Sequence, residues 1–196
     1  MEEESEIMNP NIYLDSLQFK LKSAAFHHMQ TLKSIKDFNE EEQLIAVSSE
    51  FTAMMLTFQS SLDIIAQWVN AKLLNSTIKK RVYFDEIFKY HIPDEELNVL
   101  LLEMKQNELT KYLRAFCNVT KHRNIIGVLE QNELFASSFL YPSGNLYPGK
   151  QFVINKFRSF TERNLISQLD ATFMFFNDIL MKIISYIKDK YLQKTQ

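Results

Sequence analysis

Glycine and proline are scarce in this sequence, with three Gly and four Pro among 196 residues. These two types punctuate chains, so their rarity predicts long uninterrupted elements. It also removes the usual phosphate cradles. Neither Gly-x-Gly-x-x-Gly nor Gly-x-x-x-x-Gly-Lys-Ser/Thr occurs, and three glycines leave little material for the close backbone approach those loops need. The single cysteine, Cys117, permits no internal disulfide and cannot by itself supply a thiolate zinc site, which fits a reducing cytosol. A dominant charge of one sign is missing too. The net charge of −2 sets up no global field toward nucleic acid or anionic lipid, so any such binding has to come from a local patch.

Long apolar runs are absent as well. The most apolar window, 51–69, is interrupted by Gln59, Asp63 and Gln67, so it reads as a core helix and no membrane association is expected. The first residues, Met-Glu-Glu-Glu-Ser-Glu, are acidic where a secretory leader is basic, and the expected location is cytoplasmic. No Glu-x-x-His occurs: Ala24, Ala25, Phe88 and Val119 stand three residues before the four histidines. A di-metal carboxylate bundle needs that spacing on two helices, so no metal and no cofactor is expected. His27 and His28 are adjacent, and neighbouring helical residues point about 100° apart, too far to share an ion. His28 falls in an apolar seam and reads as a hydrogen-bonded core residue.

What is present is globular in balance, 46% hydrophobic and 23% charged, at the upper end of one typical domain. The expected organisation is a single domain over 1–196, all-α, with four long helices at about 10–37, 40–74, 93–122 and 160–192. Asn9 and Pro10 open the first helix, and Leu14, Leu17, Leu21, Ala25, His28, Leu32 and Ile35 recur at steps of three and four. Asn39 and Glu42 form a capping-box-like pair before the second. Its stripe, Leu44, Val47, Phe51, Met54, Phe58, Leu62, Ile65, Val69 and Leu73, is the firmest periodic signal in the chain.

The third helix opens at Pro93 with Asp94, Glu95 and Glu96, which suit the positive end of the helix dipole. Leu97, Leu101, Met104, Tyr112, Phe116 and Val119 form its seam, and the polar run 105–108 is a place to bend or break it. A capping box of Ser159 and Glu162 predicts the start of the last helix, with Leu165, Leu169, Phe173, Phe176, Leu180, Ile183 and Ile187 inward. Residues 75–92 form a linker. Residues 124–158 carry the turn signals Pro142-Ser-Gly144 and Pro148-Gly149 and the strand-like Phe152–Phe157, so a loop-rich or short β-hairpin insertion is expected there.

Polar chemistry concentrates at the end of the third helix, in Arg114-Ala-Phe-Cys-Asn118-Val-Thr-Lys121-His122-Arg123. With Tyr112 and Phe116 inward, Arg114, Asn118, Lys121 and His122 gather on the opposite face. The plain alternative is a basic last turn on a solvated face, favoured by the helix dipole alone. Lys79, Lys80 and Arg81, followed by Tyr83, Phe84, Phe88 and Tyr90, mix charge with stackable rings as single-strand RNA binders do. Their plain alternative is a basic turn followed by aromatics that cover the core.

The stretch Phe116-Cys-Asn118-Val-Thr-Lys121-His122-Arg123 resembles the motif of the HEPN superfamily (higher eukaryotes and prokaryotes nucleotide-binding), an Arg usually followed by Asn, with His four to six residues after the Arg. The second helix, with Asp63 inside Ser61–Gln67, is similar to the long second helix of that fold. The resemblance implies an antiparallel four-helix bundle and a homodimer in which two motif copies face each other. Many members are metal-independent ribonucleases of toxin–antitoxin or phage-defence systems, and others are inactive or bind nucleotides. In the catalytic version His122 transfers the proton as a ribose 2′-hydroxyl attacks the adjacent phosphate, and Asn118 orients RNA or the histidine. The sequence departs from the pattern at one position: Cys117 stands where the family has its arginine, and a thiol cannot stabilise developing phosphate charge. Arg114 and Arg123 are the candidate substitutes.

The resemblance therefore points to a non-catalytic or weakened HEPN-like module, associated with RNA or with an antitoxin-like protein. The alternatives are an active endoribonuclease and an unrelated helical interaction protein.

Overall fold

The computed structural model of the chain describes the backbone over residues 11–37, 40–122, 128–130, 134–136, 139–146, 152–160 and 163–192. Side chains are described over 11–36, 42–120 and 163–192. The chain is predominantly helical: α1 (Asn11–Asp37), α2 (Glu40–Lys72), α3 (Glu95–Gln106), α4 (Glu108–His122) and α5 (Leu165–Ile187), with a 3-10 turn at Glu86–Lys89 before α3. The last turn widens to a π-helix over Lys188–Leu192. None of the described helices is long and apolar enough to cross a membrane.

The core is organised around α2. Val47, Phe51, Met54, Met55, Phe58, Leu62, Ile65, Ala66, Trp68 and Val69 are all buried. At 100° per residue they occupy roughly 160° of the helix circumference, and the buried Thr57 and Asn70 widen that arc to roughly 220°, so α2 is a central element and not a surface one. Aromatic contacts tie its neighbours to it. Phe51 meets Phe116 of α4 edge-on at 5.5 Å, Phe58 stacks on Phe176 of α5 at 5.0 Å, and Trp68 meets Tyr191 at 5.2 Å.

Polar contacts give the directions. Gln43 donates to the Ile35 carbonyl and His27 pairs with Glu50, so α1 and α2 run antiparallel. Asp94 before α3 meets Tyr186 at the end of α5, whereas Tyr112 of α4 meets Arg163 just before α5 begins. The α3–α4 pair is therefore antiparallel to α5.

The third helical region is divided at Asn107, which ends α3 in an extended conformation (φ −64°, ψ 139°). Its Oδ1 accepts the Leu109 N–H at 2.8 Å and so caps α4. At the end of α2, Asn75 and Ser76 take left-handed φ values of 48° and 54°. Ser76 N–H returns to the Asn70 carbonyl at 2.8 Å, and the Asn70 side chain holds Ile78 through its N–H at 3.0 Å and its carbonyl at 3.2 Å.

The insertion before α5 contains strands. β1 (Val128–Glu130), β2 (Leu134–Ala136) and β5 (Arg163–Asn164) form an antiparallel sheet in the order β1-β2-β5. β3 (Phe139–Leu146) and β4 (Phe152–Phe160) form a hairpin with a register shift at Ser143/Gly144. This corrects the expected start of the last helix. Ser159 lies in β4, paired with Leu140, and α5 begins at Leu165 with Asn164 as its cap, accepting the Ser167 N–H at 3.0 Å. A Ser-x-x-Glu pattern is a local signal, and the β ladder, satisfying the backbone across the hairpin, overrides it. The Asn9–Pro10 and Asn39 caps and Glu162 lie outside the described residues.

Because Phe58 touches α5 and is fully buried, Phe58→Ala should lower unfolding free energy by about 3–5 kcal/mol, against less than about 0.5 kcal/mol for Val99→Ala on the solvated side of α3. Urea unfolding monitored by circular dichroism measures both.

Candidate functional site

The amphipathic α4 turns Tyr112, Leu113, Ala115, Phe116, Cys117 and Val119 inward and leaves Asn118 exposed. Arg114 does not project freely beside Asn118. Its Nη1 donates to Asp85 Oδ1 at 2.6 Å and its Nη2 to Oδ2, a two-pronged ion pair with the residue preceding the 3-10 turn. Cys117, 1% exposed, belongs to the core. The backbones of Lys121 and His122 complete the last turn of α4, while their side chains and all of Arg123 lie outside the described residues.

Beside the first half of α4 lies a polar relay that the sequence did not signal. The Arg163 guanidinium lies 4.3 Å over the Tyr112 ring and donates to Gln168 Oε1 at 2.7 Å. Gln168, buried, passes its own N–H to Thr172 at 2.8 Å. Burial pushes the Tyr112 hydroxyl up to about 12, with Arg163 opposing the shift. This tyrosine is therefore neutral at physiological pH, a structural ring under a cation and not a proton donor poised near neutrality.

Lys79, Lys80 and Arg81 are exposed, and Arg81 is hydrogen-bonded to the Tyr83 hydroxyl. The rings that follow divide. Phe84 is buried and meets Phe88 edge-on at 5.3 Å, with Lys105 over the Phe88 ring at 4.0 Å. Tyr83 and Tyr90 are exposed at 48% and 40%. Asp63, singled out on the second helix, accepts the Phe84 N–H at 3.3 Å and docks this segment on α2. The Arg114–Asp85 pair docks the same segment on α4.

Two further ionisable groupings come together from separate helices. His27 Nδ1 donates to Glu50 of α2 at 2.7 Å, and His28 Nε2 donates to Asp170 of α5 at 2.8 Å while stacking on Phe173 at 4.4 Å. The adjacent histidines thus serve different helices. At the other end, Asp94 accepts from Tyr186 (2.7 Å), the Leu97 N–H (3.1 Å), Lys190 (3.1 Å) and Tyr191. Among the described residues no three His, Cys, Asp or Glu side chains are grouped so as to hold a metal ion.

Comparison with protein-family models, with curated proteins and with solved structures finds no match to this chain.

Burial alone would raise the Asp94 carboxyl, but the hydrogen bonds from Tyr191, Tyr186, Leu97 N–H and Lys190 outweigh it. They hold the group at about 2, against an ordinary 3.8. A carboxyl depressed on folding stabilises above its unfolded value and loses that contribution as pH falls toward the folded one. Acidification from pH 4 to pH 2 should therefore remove about 2 kcal/mol at this position. Asp94→Asn should flatten that part of the stability–pH curve; an unchanged slope refutes the assignment. The half-exposed Arg114–Asp85 pair, at 36% and 42%, should contribute no more than about 1 kcal/mol in a double-mutant cycle of Arg114→Ala and Asp85→Ala.

Proposed function

We propose that this chain is a HEPN-like interaction module without phosphate-cleaving chemistry, working as a homodimer in the cytoplasm with RNA or an antitoxin-like protein as its partner. The observation that carries the reading is the state of the two α4 residues nearest the expected arginine. Cys117 is an inward thiol, and the Arg114 fork is occupied by Asp85. His122 by itself can move a proton, but Arg114 stands eight residues before it, about 12 Å along the axis, so α4 offers no guanidinium beside it for the charge that develops on a phosphate under attack. The remaining polar surface suits contact: Asn118 on α4 and, on the linker, Lys79, Lys80 and Arg81, exposed beside Tyr83.

One feature favours a second reading, a metal-independent ribonuclease of toxin–antitoxin or phage-defence type. Asn118 is exposed one turn before His122, the spacing of the HEPN motif, and Arg123 follows directly. The two readings separate in one assay. Wild type and His122→Ala, incubated with labelled single-stranded RNA, should leave the substrate equally intact at enzyme-to-substrate excess. Cleavage by wild type that disappears in His122→Ala would replace the first reading with the second.

A further inference from the structure

α1 carries two faces of the same period. Leu14, Leu17, Leu21, Ala24, Thr31 and Ser34 are buried against the rest of the protein. The exposed positions after Asn11 are Ile12, Asp15, Phe19, Lys22, Phe26, Met29, Lys33 and Lys36. Their spacing alternates three and four throughout, which is the a/d spacing of a heptad seam. The apolar members are well exposed: Ile12 at 49%, Phe19 at 68%, Phe26 at 50% and Met29 at 60%. A solvated face does not need two large rings seven residues apart, and exposed apolar groups of this size repeated along one helix face mark a contact site.

We propose that this outer face pairs with the same face of a second copy of the chain, antiparallel, across a twofold axis near residue 24. The charges on the seam select both the partner and the direction. In a parallel pair, Asp15, Lys22, Lys33 and Lys36 each meet their own copy, four layers of like charge. Reversing one helix in the heptad register sets Asp15 against the partner's Lys33 and Phe19 against the partner's Met29. Lys22 then lies against the partner's Phe26, its stem covering the ring and its ammonium over the face. Each contact occurs twice, as an isologous interface requires. The apolar layers lie between the two Asp15–Lys33 layers, which set the register as polar a/d residues do in coiled coils. A lipid surface fits less well, because Asp15 and three lysines lie along the line of apolar residues and not on a separate polar face. The inference does not rest on the HEPN reading: the nuclease assay reports on α4, and the measurements below report on α1.

Sedimentation of the full chain at rising concentration should show a monomer–dimer equilibrium. Phe19→Asp/Phe26→Asp, at exposed positions, should weaken association by about 100-fold or more while leaving the circular dichroism unchanged. Asp15→Lys should weaken it by about 10-fold, and adding Lys33→Asp should restore it. Direction is read by cross-linking. Ser23 flanks the seam beside the axis, where the two helices are about 8–10 Å apart, so Ser23→Cys should be joined by a short bismaleimide. Lys36→Cys residues are separated by roughly 36 Å in the antiparallel pair and should not be joined. Wild type, whose one cysteine is buried, is the blank. A wild type that stays monomeric at 100-fold above the working concentration overturns the proposal, as does association unaffected by the Phe19/Phe26 change. Efficient cross-linking through Lys36→Cys overturns the direction. A monomer that binds anionic vesicles through Phe19 and Phe26 assigns the face to lipid instead.

Discussion

Burial of a single 33-residue helix is the constraint on which the other elements depend. With buried side chains around more than half its circumference, α2 cannot rest on one neighbour. Its neighbours each cover a sector: α1 along one side, α4 through Phe116, α5 through Phe176, and the widened end of α5 through Tyr191 on Trp68. Three polar residues of α2 also serve docking. Glu50 holds His27, Asp63 holds the Phe84 backbone, and Asn70 holds Ile78. Apolar burial supplies most of the free energy here, and these polar contacts choose among packings that burial alone would leave close in energy.

The choice matters because stripes of Leu, Ile and Phe can slide by a turn at modest cost. His27 and His28 prevent this for α1 by pairing with carboxylates on two different helices, which locks its rotation as well as its height. Asp94 does the same for α3 and α5, since it caps one helix while accepting two hydroxyls and an ammonium from the end of the other. The π-helical turn at Lys188–Leu192 belongs to the segment that carries Lys190 and Tyr191 to that carboxylate. Single-turn widenings of this kind displace side chains from α-helical register, and here Tyr191 reaches both Asp94 and Trp68.

Periodicity made the helices legible, and most clearly where burial is deepest. All six residues named for the α3–α4 seam are buried, and six of the seven for α5. Asn107 was visible as part of a polar interruption, because Asn is both a poor helix former and a good cap. The failures are of two kinds. The Ser159–Glu162 pattern is local and lost to the long-range pairing of β3 with β4. The Arg114–Asp85, His28–Asp170 and Asp94–Tyr191 contacts join residues 29, 142 and 97 positions apart, and no local pattern encodes them. The outer seam of α1 was present in the residues at 12, 19 and 26. It was obscured because charges alternate along it and the inner seam has the same period.

The ion pair of Arg114 shows how little stability has to do with whether a residue is available for chemistry. An exchange with solvent worth no more than about 1 kcal/mol would not keep a guanidinium from a phosphate if the phosphate were within reach. Distance is the stronger restraint. Eight residues of helix separate Arg114 from His122, about 12 Å along the axis, whereas a proton-transfer group and a charge-stabilising group acting on one phosphate lie within a few ångströms of it. Freed from Asp85, Arg114 would still be two turns away. Nor does the neighbouring position help, since Cys117 is directed into the core and a charged side chain there would have to leave it. Within α4 the geometry therefore separates the histidine from any arginine, and a guanidinium for phosphate chemistry at this helix end would have to come from outside it.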